Sequence, residues 1–503
     1  MKLTSISTLG ELKRSGYKSL SIKDELRKNL IHTLKNSHNP FEGILGYEDT
    51  VIPDIQTAIL SRHNIILLGL RGQAKTKIAR MLINLLDEFV PAVAGSELND
   101  DPFLPLSRVA KDLIAEQGDD TGIVWIHRSE RYAEKLATPD VSVADLIGDV
   151  DPIKAATLKL PYSDERVIHF GLIPRSHRSI FVINELPDLQ ARIQVALFNI
   201  LQENDIQIRG FKIRLLLDIQ FIFTANPEDY TNRGSIVTPL KDRIGSQILT
   251  HYPKTVEISR EITLQESDLT KEQCNSIKRS ELLENLIEQV AIEARQSEYI
   301  DAKSGVSARL TISAYENLIS TAERRMILNN EKEAHLRIAD IYGIIPSITG
   351  KIELVYEGEQ EGPSKVAFIL IGKAIKSLFL NYFPSPERSK KNHENNHYQA
   401  IINWFSKGNV IDILSSVSEK EFEETLRSIP GLKEVVKKFQ PKADERNQLL
   451  MMEFVLHGLA EYSMLSKFKL ENGVQFKDML SSMFTLNNEE DDQNVTGTDD
   501  FYR

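Results

Sequence analysis

Residues 64–80 contain, in chain order, an apolar run, a glycine-rich turn, a Lys-Thr pair and a helical pattern. The run from Ile65 to Leu68 has the length and composition of a buried strand. After the turn, apolar residues recur at helical spacing, at Ile78, Met81, Leu82, Leu85 and Leu86. A strand, a glycine loop and a helix in this order are the context that a phosphate-binding loop requires, because backbone N–H groups at the start of the helix surround the phosphate.

The predicted nucleotide-binding residues follow from this loop pattern. They are Gly69, Leu70, Arg71, Gly72, Gln73, Ala74, Lys75, Thr76 and Lys77. Lys75 would reach the β- and γ-phosphates, and the Thr76 hydroxyl would bind Mg²⁺. Ala74 stands where the pattern G-x-x-x-x-G-K-[ST] has its second glycine. We expect its small side chain to be tolerated at the start of the helix. An ordinary glycine turn between a core strand and a core helix is the structural alternative.

The composition is that of a globular protein with about three domains, since the chain has 503 residues with 41% hydrophobic and 26% charged side chains. A net charge of -11 argues against non-specific nucleic-acid binding. The single cysteine, Cys274, excludes an intramolecular disulfide and suits a reducing compartment. Residues 1–36 lack the apolar core of a signal peptide, and no apolar run approaches the roughly 20 residues of a membrane helix. We therefore expect a cytoplasmic protein without membrane contact.

Two later apolar runs end in polar residues that suit nucleotide chemistry. In the first, Glu185 occupies the position of a glutamate that orients the attacking water, and Asn184 replaces the aspartate that assists Mg²⁺. Asparagine keeps an oxygen but loses the negative charge, so we expect weaker support for Mg²⁺. A core strand that ends in a surface glutamate is the alternative. The second run leads to Asn226, whose side chain at a strand tip can hold the nucleophilic water.

Several shorter patterns are compatible with two interpretations. The turn that contains Gly46 would either cover an adenine base or simply begin a helix. The polar face of a predicted hairpin, with Arg209, Lys212 and Arg214, is either solvated or a substrate-touching loop. Arg243 would stabilise transition-state charge as an arginine finger, although an isolated arginine is more often a surface residue. Residues 121–127 are expected to form a second strand, after residues 91–121, which are expected to be an insertion or a long loop.

Four segments, residues 69–76, 171–185, 224–228 and 240–244, resemble the magnesium-chelatase I-subunit and MoxR branch of the AAA+ ATPases. The resemblance covers roughly residues 39–330. It implies an α/β P-loop core, with a parallel sheet and flanking helices, followed by a helical lid, and ATP and Mg²⁺ as cofactors. It further implies that Asn226 is sensor 1, that Arg243 is an arginine finger acting in trans, and that Arg309 is sensor 2 on the lid. Asn184 is the main departure from the family pattern.

The predicted domain organisation combines this resemblance with composition. It has a helical lead-in (residues 1–38), the ATPase core (39–255) with inserted hairpins near 150–172 and 206–218, a helical lid (256–330), a mixed extension (331–386), a linker (387–397), a helical C-terminal domain (398–485) and a disordered acidic tail (486–503). The resemblance implies that both hairpins face the central pore of a homo-oligomeric ring, commonly a hexamer.

The function implied by the resemblance is ATP hydrolysis coupled to remodelling or metal-cofactor activation of a partner, a von Willebrand factor A-type protein. A true magnesium chelatase, which inserts Mg²⁺ into protoporphyrin IX, is the narrower alternative. Because Asn184 lacks the negative charge of the aspartate it replaces, it motivates a function of a different class, a nucleotide-binding scaffold with little turnover. A nucleic-acid remodeller rests only on Arg209, Lys212 and Arg214, and the net charge argues against it.

Overall fold

The computed structural model describes residues 3–162, 164–206, 208, 214–227, 235–387 and 397–479. It divides into two compact units, Met1–Tyr252 and Pro253–Arg503. Across these described ranges, none of the helices combines the length and apolar character needed to span a membrane. The same ranges contain no group of three or more His, Cys, Asp or Glu side chains arranged to hold a metal ion.

The first unit mixes short helices with strands. Its helices are α1 (Leu9–Arg14), α2 (Ile22–Lys35), α3 (Val51–Leu60), α4 (Lys75–Met81), α5 (Arg108–Gln117), α6 (Val143–Leu146), α7 (Pro152–Leu158), α8 (Leu172–Arg175), α9 (Ala191–Ala196), α10 (Phe198–Glu203) and α11 (Thr238–Asp242). Its strands are β1 (Ile65–Leu68), β2 (Phe89–Val93), β3 (Ile123–His127), β4 (Tyr132–Leu136), β5 (Gly148–Val150), β6 (Ile168–Phe170), β7 (Ser179–Asn184), β8 (Asp205–Ile206), β9 (Leu215–Leu216), β10 (Ile219–Ala225) and β11 (Ser246–Leu249).

A five-stranded parallel sheet forms the centre of this unit, in the order β11-β1-β10-β7-β4. Alternate residues of its strands enter two different cores. Ile65 and Leu67 pack with α2, α3 and α4, whereas Ile66 and Leu68 pack with residues of α9, α10 and α11. Burial of both faces by helices is what a parallel sheet requires. The predicted α/β class, a parallel sheet with flanking helices, is therefore confirmed.

The strand expected over residues 121–127 is present, but it lies outside the five-stranded sheet. Residues 123–127 do form β3, but β3 pairs antiparallel with β2, with Val90 opposite Ile126, in a separate two-stranded sheet. The core position belongs to β4, which runs parallel to β7. No residue of β4 is fully buried, so it has no apolar run to recognise. Strand β2 and helix α5 occupy parts of the region that we predicted to be an insertion or a long loop, so a plain loop over the whole region is excluded.

A buried ion pair fixes α2 to the sheet. Both guanidinium Nη atoms of Arg131 donate to the Glu25 carboxylate, at 2.8 and 2.7 Å, and both side chains are at most 3% exposed. Arg131 Nε also donates to the carbonyl of Arg178 at 2.9 Å. Glu25 Oε1 accepts a further bond from the N–H of Asp87 at 2.7 Å. Because each charge is fully hydrogen-bonded away from water, removing one partner leaves the other buried and uncompensated.

We therefore expect Glu25→Gln to lower the free energy of unfolding by about 3–5 kcal/mol, as measured by urea denaturation. Asp119→Asn is the matched control, because it breaks the exposed Lys13–Asp119 pair (2.6 Å) and should leave the unfolding midpoint almost unchanged. Equal effects of the two substitutions would contradict the assigned role of the buried pair.

His177, shortly before β7, and Asp218, directly before β10, change the stability of the fold in opposite directions as the pH falls. Burial lowers the pKa of His177 to about 4, and its Nδ1 accepts the N–H of Asp218 at 3.0 Å. Burial raises the pKa of Asp218 to about 6, although its Oδ2 accepts the N–H of Ile22 at 2.7 Å. Unfolded His177 binds a proton more readily than folded His177, so acid destabilises the fold through this residue. Folded Asp218 binds a proton more readily than unfolded Asp218, so acid stabilises the fold through this one.

In the wild type, the effects of His177 and Asp218 on the free energy of unfolding oppose each other between about pH 6 and pH 4. Asp218→Asn removes the compensating contribution, so we expect its free energy of unfolding to fall more steeply than that of the wild type as the pH is lowered through this range. Urea denaturation across the range measures both slopes. Parallel pH profiles for the two proteins would show that the opposition does not exist.

The second unit consists mainly of helices. These are α12 (Val256–Glu266), α13 (Lys271–Ser276), α14 (Glu281–Arg295), α15 (Arg309–Leu328), α16 (Ile345–Thr349), α17 (Tyr356–Glu361), α18 (Pro363–Tyr382), α19 (Gln399–Phe405), α20 (Glu419–Arg427), α21 (Leu432–Phe439) and α22 (Glu445–Glu461). Its strands are β12 (Ile277–Lys278), β13 (Ala334–His335), β14 (Ile411–Leu414), β15 (Ser466–Leu470) and β16 (Gly473–Lys477).

One hydrophobic core extends through this unit from Ile277 to Phe476. Helix α14 packs against α18, and α18 packs against α22, so the predicted lid and the C-terminal extension share the core. Glu453 of α22 accepts the backbone N–H groups of Ile338 (2.6 Å) and Ala339 (2.8 Å) at the start of a 3₁₀-helix. The extension is thus built into the same packed body as α14 and α15.

Residues 398–485, which we expected to be wholly helical, also contain an antiparallel sheet in the order β14-β16-β15. The sequence signal for it is the alternation of apolar and polar residues on both sides of Glu471-Asn472, the two residues that connect β15 to β16. Most of the predicted linker and all of the predicted acidic tail lie outside the described residues, as do Arg209 and Lys212 of the second hairpin.

Candidate functional site

The loop between β1 and α4 begins at the carboxyl edge of the parallel sheet. The N–H of Gly69 donates to the carbonyl of Ala225 at 3.2 Å, so the chain leaves β1 alongside β10. A side chain cannot be accommodated at Gly69, because a Cβ would lie 1.8 Å from Thr250 Oγ1. Gly72 has a φ of 74°, which turns the chain toward α4. Predicted residues 69–77 therefore all lie in this turn or in the first turn of α4.

Ala74 adopts a left-handed conformation, with φ 56° and ψ 14°, immediately before α4. We expected a small side chain to be tolerated there because of its place at the start of the helix. The structure shows that the position has the backbone geometry of a glycine instead, and a Cβ in this region costs roughly 1 kcal/mol or more. The loop therefore holds a strained residue beside Lys75.

We expect Ala74→Gly to raise the free energy of unfolding by up to about 1 kcal/mol, because relief of the strain outweighs the greater freedom of an unfolded glycine. Ala79→Gly, the same substitution inside α4, should lower it by about 1 kcal/mol or more. Urea denaturation measures both variants. A loss of stability in Ala74→Gly would contradict the strain argument.

The side chain of Lys75 is held against the loop. It is 8% exposed, and its Nζ donates to the carbonyls of Gly69 at 2.5 Å and Leu70 at 2.9 Å. An ammonium group kept at a loop of backbone N–H groups is suited to a phosphate ligand. Thr76, the next residue, lies in the first turn of α4, where backbone N–H groups have no partner within the helix.

The ends of β7 and β10 lie at the same edge as the loop. Ile183 pairs with Phe223, and Leu68 pairs with Ala225, so the residues that follow these strands are neighbours. A threonine that the sequence analysis did not select connects them. Thr224 Oγ1 donates to Asn184 Oδ1 at 3.0 Å and accepts the N–H of Glu185 at 3.2 Å.

Asn226 supplies an acceptor at this edge. Its side chain is 3% exposed, and its Oδ1 has no hydrogen-bond partner among the residues that the structure describes. Because nearly all buried polar atoms in folded proteins are paired, an oxygen in this state suits a donor such as a water molecule. The role of Asn226 as sensor 1 stays a prediction.

The turn that contains Gly46 also contacts the loop region. Lys77 Nζ donates to the carbonyl of Gly43 at 3.3 Å, and the Tyr47 hydroxyl lies 3.2 Å from the carbonyl of Gln73. Gly46 itself has a φ of 79°, and its N–H donates to Glu48 Oε1 at 3.1 Å. The structure thus brings the predicted base-covering turn beside the predicted phosphate loop.

The two predicted arginines are placed differently. Arg243 follows α11, and its guanidinium donates to Gln202 Oε1 (3.0 Å) and the Pro239 carbonyl (2.7 Å) while lying 5.1 Å from the Phe198 ring centre. It therefore rests on its own unit beside α10. Arg309 is the exposed first residue of α15, in the second unit. The roles of both arginines stay predictions.

Sequence reasoning missed three residues that hold the loop, namely Tyr47, Thr250 and Tyr252. Thr250 and Tyr252 come just after β11, which is a neighbour of β1 in the sheet. The available signal was the same one that identified Glu185 and Asn226: polar side chains that follow a parallel strand gather at one edge. Arg214, on the predicted polar face of the second hairpin, forms an ion pair with the buried Asp205 at 2.8 Å.

No protein-family model matches the chain. Among solved structures, it is similar to the BchI–BchD complex of magnesium chelatase, with 18% identity over 64% of this chain and 98% of that chain, at a TM-score of 0.33. It is also similar to Hsp104 with ATPγS and FITC casein (14% identity, 62% and 50% of the chains, TM-score 0.37). A third similar structure is NtrX from Brucella abortus (14%, 57% and 54%, TM-score 0.31). The chain spans about half the length of Hsp104 and of NtrX.

The topology of the first unit defines its fold class. Strand β1 leads into the loop of Lys75, β10 lies between β1 and β7, and all five core strands are parallel. Helices cover both faces of this sheet. The first unit therefore has a parallel α/β fold in which the loop of Lys75 follows a central strand, and a mostly helical second unit follows it in the chain.

Proposed function

We propose that this protein is an AAA+ ATPase that binds Mg²⁺-ATP at residues 69–77 and hydrolyses it at the carboxyl edge of the sheet. The observation that carries the proposal is the convergence of four features at one edge of the sheet: a glycine loop, a buried lysine, an acidic strand end, and an amide oxygen without a hydrogen-bond partner in the part of the chain that the structure describes. The residues present fit the phosphate groups of ATP. The loop has no room for a side chain at Gly69, and the Lys75 ammonium lies against the loop, so its shape and charge suit phosphate.

Each residue has a separate task in this proposal. The backbone N–H groups of the loop and the Lys75 ammonium bind the phosphates, and Gly46 covers the base. The Thr76 hydroxyl and Asn184 would hold Mg²⁺, which neutralises charge on the phosphates when it is bound. Glu185 orients the attacking water and takes its proton, and the buried oxygen of Asn226 accepts a hydrogen bond from the same water.

Asn184 is expected to limit the rate of hydrolysis. Its Oδ1 already accepts the Thr224 hydroxyl at 3.0 Å, and an amide carries no negative charge to attract Mg²⁺. A nucleotide-binding scaffold with little turnover is therefore the second candidate function. The two candidates share the binding site and differ only in whether phosphate is released.

Steady-state phosphate release by the purified protein separates them. The ATPase proposal predicts Mg²⁺-dependent turnover that falls by about 100-fold or more in Glu185→Gln, because a positioned carboxylate of this kind contributes about 10²–10⁴-fold. Glu88→Gln, at an exposed position of the same unit, is the matched control and should retain wild-type turnover. Turnover at background level, or the same rate in Glu185→Gln, would favour the scaffold.

The proposed biological context rests on the family resemblance. In this context the protein works in the cytoplasm as a homo-oligomeric ring, with a hexamer as the expected form, and Arg243 reaches the nucleotide of the neighbouring subunit. Its partner is a von Willebrand factor A-type protein that the ring remodels or activates. A pull-down with Glu185→Gln and ATP should retain such a partner, because blocked hydrolysis prevents release. Magnesium insertion into protoporphyrin IX by the purified protein with its captured partner would favour the chelatase alternative.

A further inference from the structure

We propose that Tyr47, Thr250 and Tyr252 fix the backbone of the phosphate loop in its binding geometry and thereby set the affinity of the site for phosphate groups. The inference rests on the proposed function and adds positioning residues to the same site. Together with His251, which holds two of them in place, these residues are named the anchor cluster. They come from the turn after Gly46 and from the chain that follows β11.

Two tyrosine hydroxyls hold carbonyl groups of the loop. The Tyr47 hydroxyl shares its proton between the carbonyls of His251, at 2.7 Å, and Gln73, at 3.2 Å. The Tyr252 hydroxyl donates to the carbonyl of Arg71 at 3.2 Å. In a planar trans peptide, a carbonyl and the following N–H point in opposite directions. The tyrosines therefore direct the N–H groups of Gly72 and Ala74 away from themselves.

A third contact fixes the start of the loop. Thr250 Oγ1 donates to Gln73 Oε1 at 2.7 Å, and both side chains are buried. These two atoms lie directly against Gly69, where an added Cβ would come within 1.8 Å of the hydroxyl and 2.2 Å of the amide oxygen. The N–H of Thr250 also donates to the carbonyl of Leu68 at 2.7 Å. The loop thus has little room to move on this side.

The anchor cluster is itself rigidly held. His251 Nδ1 lies 2.8 Å from the carbonyl of Tyr252, and its Nε2 lies 2.9 Å from Thr50 Oγ1. The His251 ring packs edge-on against the Tyr47 ring, with 5.0 Å between the ring centres. Burial raises the pKa of Tyr47 to about 12, so this hydroxyl remains a donor at neutral pH. Rigid anchors reduce the ordering cost that the loop would otherwise incur when a phosphate binds.

Tyr47 directly follows Gly46 in the turn predicted to cover the base, so two roles have to be distinguished. A residue that touches the base affects only ligands that carry a base. A residue that fixes the phosphate loop affects ATP and a base-free phosphate chain alike. Inorganic tripolyphosphate, which carries the same phosphates without adenosine, therefore separates the two roles.

The test is isothermal titration of the full chain with Mg²⁺-ATP and with Mg²⁺-tripolyphosphate. We expect Tyr47→Phe to raise the Kd for both ligands by about fivefold, the equivalent of one neutral hydrogen bond, with their ratio unchanged. Tyr252→Phe, at a half-buried position, should act in the same direction and keeps the test valid if Tyr47→Phe fails to fold. Tyr17→Phe is the matched control, because that ring packs with Phe103 and Trp125 away from the loop and should leave both Kd values unchanged.

Four results would overturn the inference. The first is weaker binding of ATP but not of tripolyphosphate in the tyrosine variants, and the second is unchanged binding of both ligands in the two tyrosine variants. The third is a lower melting temperature of these variants without any change in Kd. The fourth is that the wild type binds ATP but shows no measurable binding of tripolyphosphate. If the wild type binds neither ligand, the proposed function itself fails. Failure of the proposed function is thus distinguishable from failure of the anchor cluster alone.

Discussion

The parallel register of β1, β10 and β7 is the constraint on which the candidate site depends. Leu68 is paired with Ala225, and Ile183 is paired with Phe223, so all three strands end at one edge. Residues that are far apart in the chain, from Gly69 to Asn226, become neighbours only through this alignment. A slip of one residue would exchange the two buried faces of a strand, and the two separate cores on either side of the sheet oppose such a slip.

Sequence reasoning succeeded where the signal was local. Strands β1 and β7 were predicted because an apolar run is followed there by a glycine loop or by polar residues, and the parallel α/β class was implied by the family resemblance. Sequence reasoning failed where tertiary context decides. Strand β4 is an edge strand without a fully buried residue, and the left-handed backbone of Ala74 depends on how β1 and α4 are joined. The sheet at Asn472 was missed although its turn residues are visible in the sequence.

Two buried charged side chains of the first unit, Arg131 and Lys75, are each held by hydrogen bonds next to the sheet. The Glu25–Arg131 pair holds α2, and the carbonyls of Gly69 and Leu70 hold the Lys75 ammonium. A phosphate that enters the loop has to replace these carbonyls as the partner of Lys75, and its negative charge makes that exchange favourable. At the neighbouring strand end, the neutral Asn184 side chain accepts the Thr224 hydroxyl at 3.0 Å.

We expect the loop at the carboxyl edge of the sheet to bind a nucleotide through Lys75. Isothermal titration with Mg²⁺-ATP tests it most directly, with wild type, Lys75→Ala and, as a control, Lys154→Ala, whose side chain pairs with Glu97 at 2.8 Å. We expect saturable binding to the wild type and to Lys154→Ala. In Lys75→Ala the affinity should fall by about 100-fold or more, the equivalent of a charge-assisted contact worth about 3 kcal/mol. Equal affinity of Lys75→Ala and the wild type would contradict this expectation.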